Sequence, residues 1–241
     1  MIEFKNLVKK FGSRTILKGV SFGVGKGEIL FILGTSGTGK SVLLKNLVGL
    51  LQPDSGEIWI DGQETSRLTE DEYLMIRKKC GMVFQQPALF DSLTVFENVA
   101  FGLRKHFRLE EKVIQEKVAK ALSLVNLKGI ENKFPAQISY GMQKRVSLAR
   151  TVALEPKILL FDEPTTGLDP VTTTAVNELI RDLSHKLQTT SIVVSHDMNC
   201  ALTIADRIVV LDQGNVVDEG TPAELRKSTQ TLVRDFLAEV I

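Results

Sequence analysis

The 241-residue sequence is poor in the features that mark several large classes of protein. Its only two cysteines, Cys80 and Cys200, form no metal-binding pair and suit reduced core positions. No apolar run reaches the roughly 20 residues that span a bilayer, and the first residues lack the apolar stretch of a signal peptide. Lys and Arg number 30 against 29 Asp and Glu, so no basic excess favours a nucleic-acid partner. We therefore expect a cytoplasmic protein that acts on a membrane only through a partner.

The hydrophobic pattern predicts an α/β fold. Short runs that are apolar on both faces, as a parallel sheet between helices requires, lie at residues 29–33, 158–161, 191–195 and 208–211. Residues 2–7 and 56–61 alternate instead like half-exposed strands. The predicted connecting helices cover residues 40–51, 143–154 and 171–187. Repetition of strand, helix and strand indicates a doubly wound parallel sheet flanked by helices.

The middle of the chain differs from both ends. Few strand-like runs occur between residues 84 and 155, where amphipathic stretches such as 110–125 dominate. We expect a single domain over residues 1–241, with an α/β core at about 1–84 and 156–241 and an inserted helical subdomain at about 85–155. Residues 224–241 carry apolar side chains at helical spacing. We favour a helix packed on its own domain over an arm that binds a partner.

A glycine-rich loop, the phosphate loop, follows the buried run 29–33 and opens a predicted helix. Its residues are Gly34, Thr35, Ser36, Gly37, Thr38, Gly39, Lys40 and Ser41. Glycines let backbone N–H groups approach phosphate oxygens, and a helix N-terminus adds positive charge. Lys40 can reach the β- and γ-phosphates, and the Ser41 hydroxyl can ligate Mg²⁺. Because both are in place, a nucleoside triphosphate site is favoured over a merely tight turn.

Further polar residues follow two other buried runs, at the edge where α/β sheets place ligands. Asp162 can hold Mg²⁺ through water, and Glu163 can polarise the water that attacks the γ-phosphate. Adjacent acids are often solvated loop charges, but their position beside a phosphate loop favours catalysis. His196 could contact the γ-phosphate, or it could bond only to neighbouring backbone.

The segment around Ser139 begins a predicted helix and leaves two roles open. Ser139 is a good N-cap, and capping could be all that it does. A capped helix start is also an anion site, so the same residues could grip a phosphate. Periodicity does not choose between these alternatives.

The order of these motifs resembles the ATP-binding subunit of an ATP-binding cassette (ABC) transporter, from Ile2 to about Thr221. The signature segment, residues 138–142, reads Ile-Ser-Tyr-Gly-Met where the family has Leu-Ser-Gly-Gly-Gln. The resemblance implies a P-loop NTPase (RecA-like) core with an antiparallel β part and a helical insertion. It also assigns roles to residues that lie outside the phosphate loop. They are Gln85 in the glutamine loop as a Mg²⁺ and water sensor, Asp169 in the D-loop (residues 167–169), Phe11 as an adenine-stacking ring, and Val42 beside Ser41.

The resemblance further implies that the ATP site is shared. Two copies would pair head to tail, with each ATP held between one copy's phosphate loop and the other's Ser139 and Gly141. Hydrolysis would drive an integral-membrane permease at the cytoplasmic face of the inner membrane, with possible accessory or substrate-binding subunits. Tyr140 departs from the family's glycine. Its ring could crowd the phosphate contact, or it could point away and pack against the partner.

A closer resemblance is to the subgroup that moves phospholipids between bacterial membranes. It lies in residues 87–99, 39–45, 142–146 and 231–237, with Val42 where most relatives have threonine. The resemblance implies a phospholipid cargo, and an importer of amino acids, ions or another solute is the alternative. An ABC ATPase acting on DNA or ribosomes is disfavoured, because the chain has neither a long coiled coil nor a second cassette.

Overall fold

The computed structural model describes residues 1–240, which form ten β-strands and nine α-helices. The strands are β1 Ile2–Phe11, β2 Arg14–Val24, β3 Ile29–Leu33, β4 Ser55–Ile60, β5 Gln63–Glu64, β6 Cys80–Val83, β7 Ile158–Asp162, β8 Thr190–Ser195, β9 Arg207–Asp212 and β10 Asn215–Gly220. The helices are α1 Lys40–Leu47, α2 Glu70–Arg77, α3 Val95–His106, α4 Glu111–Leu124, α5 Tyr140–Val152, α6 Pro170–Leu187, α7 Met198–Ile204, α8 Pro222–Leu225 and α9 Thr231–Ala238. None of these helices combines the length and apolar character needed to cross a membrane.

A six-stranded sheet forms the centre of the molecule, in the order β10-β9-β3-β8-β7-β6. Its strands are parallel except for β10, which pairs antiparallel with β9. In this register Leu33 lies opposite Ser195, and Asp162 lies opposite Val194. The carboxyl ends of β3, β7 and β8 therefore meet at one edge of the sheet, which brings the segments after all three strands together.

The central strand β3 is buried on both faces, as its composition predicts. Ile29, Phe31 and Leu33 belong to an apolar core that the helices on one side share. Leu30 and Ile32 belong to a second core between the two sheets. Both-face burial explains why these five residues show no polar alternation.

The second sheet is antiparallel, in the order β2-β1-β4-β5, which confirms the predicted antiparallel part. Its inner face supplies side chains such as Phe4 and Ile58 to the core between the sheets. The sequence pattern predicts β1 and β4, whereas β2 is a finding of the structure. The β2 residues Leu17, Val20 and Phe22 are buried there.

Three helices, α3, α4 and α5, follow one another between β6 and β7. Their apolar faces meet in the first core through side chains such as Val99, Leu122 and Val146. α5 begins at Tyr140, directly after its predicted N-cap Ser139, and so starts three residues before the predicted range 143–154. The proposed boundaries of a separate helical subdomain stay a prediction.

The first and last helices also differ in extent from the sequence prediction. α1 stops at Leu47 instead of residue 51, since the chain turns at Gly49 with φ of +69°. Of residues 224–241, α9 takes only Thr231–Ala238, and Ile241 lies outside the described residues. Val233 and Phe236 of α9 are buried in the first core. This last helix therefore packs on its own domain, as favoured.

Candidate active site

A cleft of about 720 Å³ opens at the sheet edge where β3, β7 and β8 end. Most of the residues predicted for the site line it. They are Phe11, Thr35, Ser36, Gly37, Gly39, Lys40, Ser41, Val42, Gln85, Glu163 and His196. Gly34, Thr38 and Asp162 are not among the lining residues, and Asp162 is joined to the cleft by a hydrogen bond from Ser41. The predicted residues that line the cleft lie up to 185 positions apart in the sequence, from Phe11 to His196.

The phosphate loop has a backbone that other residues would not adopt. Gly39, which caps α1, has φ of +108°, a value that side-chain-bearing residues rarely take. A Cβ on Gly34 would lie 2.5 Å from the carbonyl oxygen of Leu211. The Thr38 hydroxyl donates to the Thr35 carbonyl at 2.9 Å and closes the loop. The loop therefore needs glycine at position 34 because the backbone of Leu211 lies so close, and at position 39 because of the positive φ.

Lys40 is buried at the base of the cleft, with only 6% of its surface exposed. Its Nζ donates to the carbonyls of Gly34 at 2.7 Å and Thr35 at 3.0 Å, and lies 3.6 Å from Oε1 of Glu163. Burial lowers the pKa of Lys40, and the negative charge of Glu163 opposes that shift. The ammonium group is thus held at the base of the cleft, where burial strengthens its electrostatic attraction for an anionic ligand.

Ser41 and Asp162 offer the oxygen atoms that a hard cation prefers. The Ser41 hydroxyl donates to Oδ1 of Asp162 at 2.8 Å. Mg²⁺ is usually held by one or two protein oxygens together with substrate phosphates. Within residues 1–240 no three His, Cys, Asp or Glu side chains gather into a metal cluster. The pair therefore fits a magnesium ion that arrives with a nucleotide.

Glu163 is the most constrained residue of the cleft. Its φ of +51° is uncommon for a residue other than glycine, and its N–H donates to the Val194 carbonyl at 2.9 Å. Oε2 accepts from the hydroxyls of Thr166 at 3.1 Å and Ser195 at 3.3 Å. These bonds fix the carboxylate towards the cleft.

His196 completes this group from the end of β8. Its Nδ1 lies 2.9 Å from Oε2 of Glu163, and 60% of its side chain is exposed. The bond to a carboxylate excludes the alternative in which the ring contacts only backbone. Thr166 and Ser195 were missed by sequence analysis, because no motif marks a hydroxyl that supports a carboxylate.

Ser139, Gly141 and Asp169 do not line this cleft. The Ser139 hydroxyl accepts from the N–H of Met142 at 3.3 Å, so it caps α5. Asp169 caps α6, and its hydrogen bonds from Thr172 lower the pKa of its carboxyl group. A Cβ on Gly141 would lie 2.9 Å from Cγ2 of Thr172. The three residues form a second group, at the facing starts of α5 and α6.

Tyr140 makes a hydrogen bond that was not considered from the sequence. Its hydroxyl donates to Oε1 of Gln86 in the same chain at 3.1 Å. Phe236 and Glu239, near the end of the chain, also line the cleft. Sequence analysis missed their place there, because only packing in three dimensions brings α9 to this edge.

Comparison with known proteins agrees with the geometry. The ABC transporter family matches residues 17–166. The phospholipid transport ATP-binding protein MlaF of Haemophilus influenzae is 43% identical over 98% of this chain and 90% of its own length. The sulfate/thiosulfate import protein CysA of Bradyrhizobium diazoefficiens is also 43% identical, over 100% of this chain and 70% of its own length.

A solved dimeric structure of the ATP-binding cassette MJ0796, in a post-hydrolysis state bound to ADP and Pi, is also similar. It has 36% sequence identity and a TM-score of 0.84, and the match covers 92% of this chain and 99% of that one. The chain therefore belongs to the ABC transporter family and is one of its ATP-hydrolysing subunits.

Proposed function

We propose that this chain powers a phospholipid transporter, working as a head-to-tail pair of copies beneath an integral-membrane permease. The observation that carries the ATPase mechanism is the position of Glu163. Its carboxylate faces the cleft between the buried Lys40 ammonium, 3.6 Å away, and the His196 ring, 2.9 Å away. A base, a cation and an imidazole are thereby arranged around one point of a phosphate-binding cleft.

The nucleotide would lie along the cleft from Phe11 to Lys40. The Phe11 ring is 48% exposed at one end, where an adenine could stack on it. Backbone N–H groups of the phosphate loop and the start of α1 would surround the phosphates. Lys40 would exchange its loop carbonyl partners for phosphate oxygens, which carry more negative charge.

Mg²⁺ would be held by Ser41 and Asp162, and Gln85, which also lines the cleft, would sense the ion and the attacking water. The ion would neutralise charge on the β- and γ-phosphates. Glu163 would accept a hydrogen bond from the attacking water and orient it towards phosphorus. His196, anchored by Glu163, would present its second ring nitrogen to the γ-phosphate.

The second group, Ser139, Gly141 and Asp169, supports the proposal that two copies share each ATP. These residues lie outside the cleft of their own chain, and the start of α5 offers N–H groups and a hydroxyl. A helix start of that kind stabilises an anion that approaches it. Pairing head to tail would bring this group onto the γ-phosphate of the other copy, and hydrolysis would remove the charge that joins them.

The segment after Gln85 supports a permease contact. Asn98 holds it, since the Phe90 N–H donates to the side-chain Oδ1 of Asn98 at 2.8 Å and the Asn98 side-chain amide donates to the Phe90 carbonyl at 3.1 Å. Arg150 donates to the Ala88 carbonyl at 2.8 Å. Phe90 of this segment is 43% exposed. Its ring lies beside that of Phe101 on α3, which is 45% exposed, with the ring centroids 4.7 Å apart. Such a rigid aromatic pair suits a protein interface.

The phospholipid cargo is supported by residues 87–99 and 231–237 and by the similarity to MlaF. An importer of another solute is the second candidate, because CysA reaches the same identity. The chain should be purified from membranes with its permease in mild detergent, and the bound molecules identified by mass spectrometry. We expect phospholipids, and ATP-dependent phospholipid transfer between vesicles.

The matched control for this experiment is the Glu163→Gln complex, which should carry the same lipids but transfer none. A complex that carries a soluble solute and moves no phospholipid would establish the importer. Fractionation of the chain with membranes only when the permease is present tests its peripheral location.

A further inference from the structure

The side chain of Tyr140 joins α5 to the glutamine loop of its own chain. Its hydroxyl donates to Oε1 of Gln86 at 3.1 Å, across 54 residues of sequence. Gln86 directly follows Gln85, which the proposed function places beside Mg²⁺ and the attacking water. A glycine at position 140 has no side chain and could not form this link.

The buried Lys144, one turn further along α5, makes a second link to the same loop. Its Nζ donates to the carbonyl oxygen of Gln85 and lies 5.5 Å from the centre of the Tyr140 ring. Only 3% of Lys144 is exposed, and burial lowers its pKa, with the charge of Glu163 opposing the shift. The ring thus covers a desolvated cation that is itself bonded to the glutamine loop.

The start of α5 also packs against the D-loop and the helix that follows it. A Cβ on Gly167 would lie 3.7 Å from Cε1 of Tyr140, which is ordinary contact distance. Gly141 approaches Thr172 so closely that a Cβ would lie 2.9 Å from its methyl group. Tyr140 is therefore bonded to the glutamine loop and lies beside Gly167 of the D-loop.

We propose that Tyr140 is a positioning residue that fastens the start of α5 to the glutamine loop, so that the two move as one unit. The inference rests on the proposed pairing of two copies, in which Ser139 and Gly141 meet the ATP of the other copy. A displacement of Gln85 by its own ATP is then passed to Ser139 and Gly141. Tyr140 in this way couples the two ATP sites of the pair.

Hydrogen exchange of the unpaired full-length chain without nucleotide tests the fastening alone. Tyr140→Phe removes only the hydroxyl, and loss of one hydrogen bond should speed amide exchange at residues 85–90 about fivefold. Gln86→Met should do the same. The control is Gln143→Met, which deletes bonds from the same helix to the Pro135 and Ile138 carbonyls and should leave residues 85–90 unchanged. Unchanged exchange in both Tyr140→Phe and Gln86→Met would overturn the proposal.

ATP hydrolysis measured against ATP concentration tests the coupling. We expect a wild-type Hill coefficient above 1 that falls towards 1 in Tyr140→Phe, while ATP affinity of the unpaired chain changes less than about twofold. The Hill coefficient of the double variant Tyr140→Phe with Gln86→Met should fall no further, because both changes remove the same hydrogen bond. Tyr140→Gly, which also removes the ring, should lower the coefficient at least as much.

A wild-type coefficient of 1, or a Tyr140→Gly variant with the wild-type coefficient, would overturn the coupling. Failure of the proposed function has a different signature, since Glu163→Gln would then form no ATP-dependent pair. The hydrogen-exchange result does not depend on pairing and distinguishes the two failures.

Discussion

The carboxylate of Glu163 stands between two nitrogen groups of opposite accessibility. Its Oε1 lies 3.6 Å from the Lys40 ammonium, which is 6% exposed, and its Oε2 lies 2.9 Å from Nδ1 of His196, which is 60% exposed. The hydroxyls of Thr166 and Ser195 bond to the same Oε2. The carboxylate is therefore oriented before any ligand arrives, and preorganised groups cost little reorganisation during reaction.

Glu163→Gln should retain ATP binding and lose hydrolysis. The amide keeps the shape of the side chain but cannot accept the proton of the attacking water, so the turnover number should fall about 10²- to 10⁴-fold. ATP should then hold the variant as a pair that gel filtration detects. The control is Glu178→Gln, an exposed glutamate of α6. Wild-type turnover in Glu163→Gln would exclude Glu163 as the residue that polarises water.

His196→Ala should lower turnover while leaving ATP affinity within about threefold, since Lys40 and the phosphate loop supply most of the binding. The exposed ring adds little to stability, so the melting temperature should stay close to that of the wild type. Fluorescent-nucleotide titration and steady-state hydrolysis separate the two effects. His185→Ala, on an exposed face of α6, serves as the control and should behave as the wild type. An equal loss of binding and turnover would contradict this role.

Much of the cleft could be predicted from the sequence because its residues lie within a few positions of the ends of three strands, β3, β7 and β8. Lys40, Glu163 and His196 each follow a buried apolar run, and parallel strands place such segments at one edge. Fold class could be predicted for the same reason, since β3 is apolar at every position. Periodicity and motif spacing are sufficient for such features.

The features that were missed depend on distant packing. In β2 the buried residues alternate only from Val20 to Val24, and the pairing with β1 shifts register along the strand, so the pairing decides the extent of the strand. Phe236 reaches the cleft because α9 packs back onto the first core. Tyr140 meets Gln86 across 54 residues. No local pattern encodes contacts of this kind.

Gly49→Ala should destabilise the fold by about 2–4 kcal/mol, because the backbone strain at its φ of +69° adds to the overpacking of a Cβ that would lie 2.5 Å from the ring of the buried Tyr73. Gly62→Ala is the matched control, because Gly62 has a similar positive φ but no atom within 4 Å of the added Cβ. Gly62→Ala should lower the free energy of unfolding only through backbone strain, by about 1 kcal/mol. Denaturant unfolding measures both. If both variants lost the same free energy of unfolding, the Tyr73 ring would have to move aside for the methyl group without cost.

The start of α3 should make stability depend on acidic pH. Hydrogen bonds from the N–H and the hydroxyl of Thr94 lower the pKa of Glu97 below its ordinary value. A lowered folded-state pKa means that the charged carboxylate favours the native state, so its contribution is complete at neutral pH. The pKa of an unstructured glutamate is about 4.3. The stabilisation by Glu97 is therefore lost progressively as the pH falls below that value and through the lowered pKa of the folded state.

The measurement is the denaturant midpoint of the wild type and of Glu97→Gln from pH 7 downwards. Glutamine can still bond to Thr94 but carries no charge, so the wild type should be more stable at pH 7. The difference should shrink as the pH falls through the lowered pKa of Glu97, because the protonated carboxyl group and the amide are then both neutral. Thr94→Ser, which keeps the hydroxyl and the N–H, should follow the wild-type pH dependence. A difference that stays constant with pH would contradict this account of the helix cap.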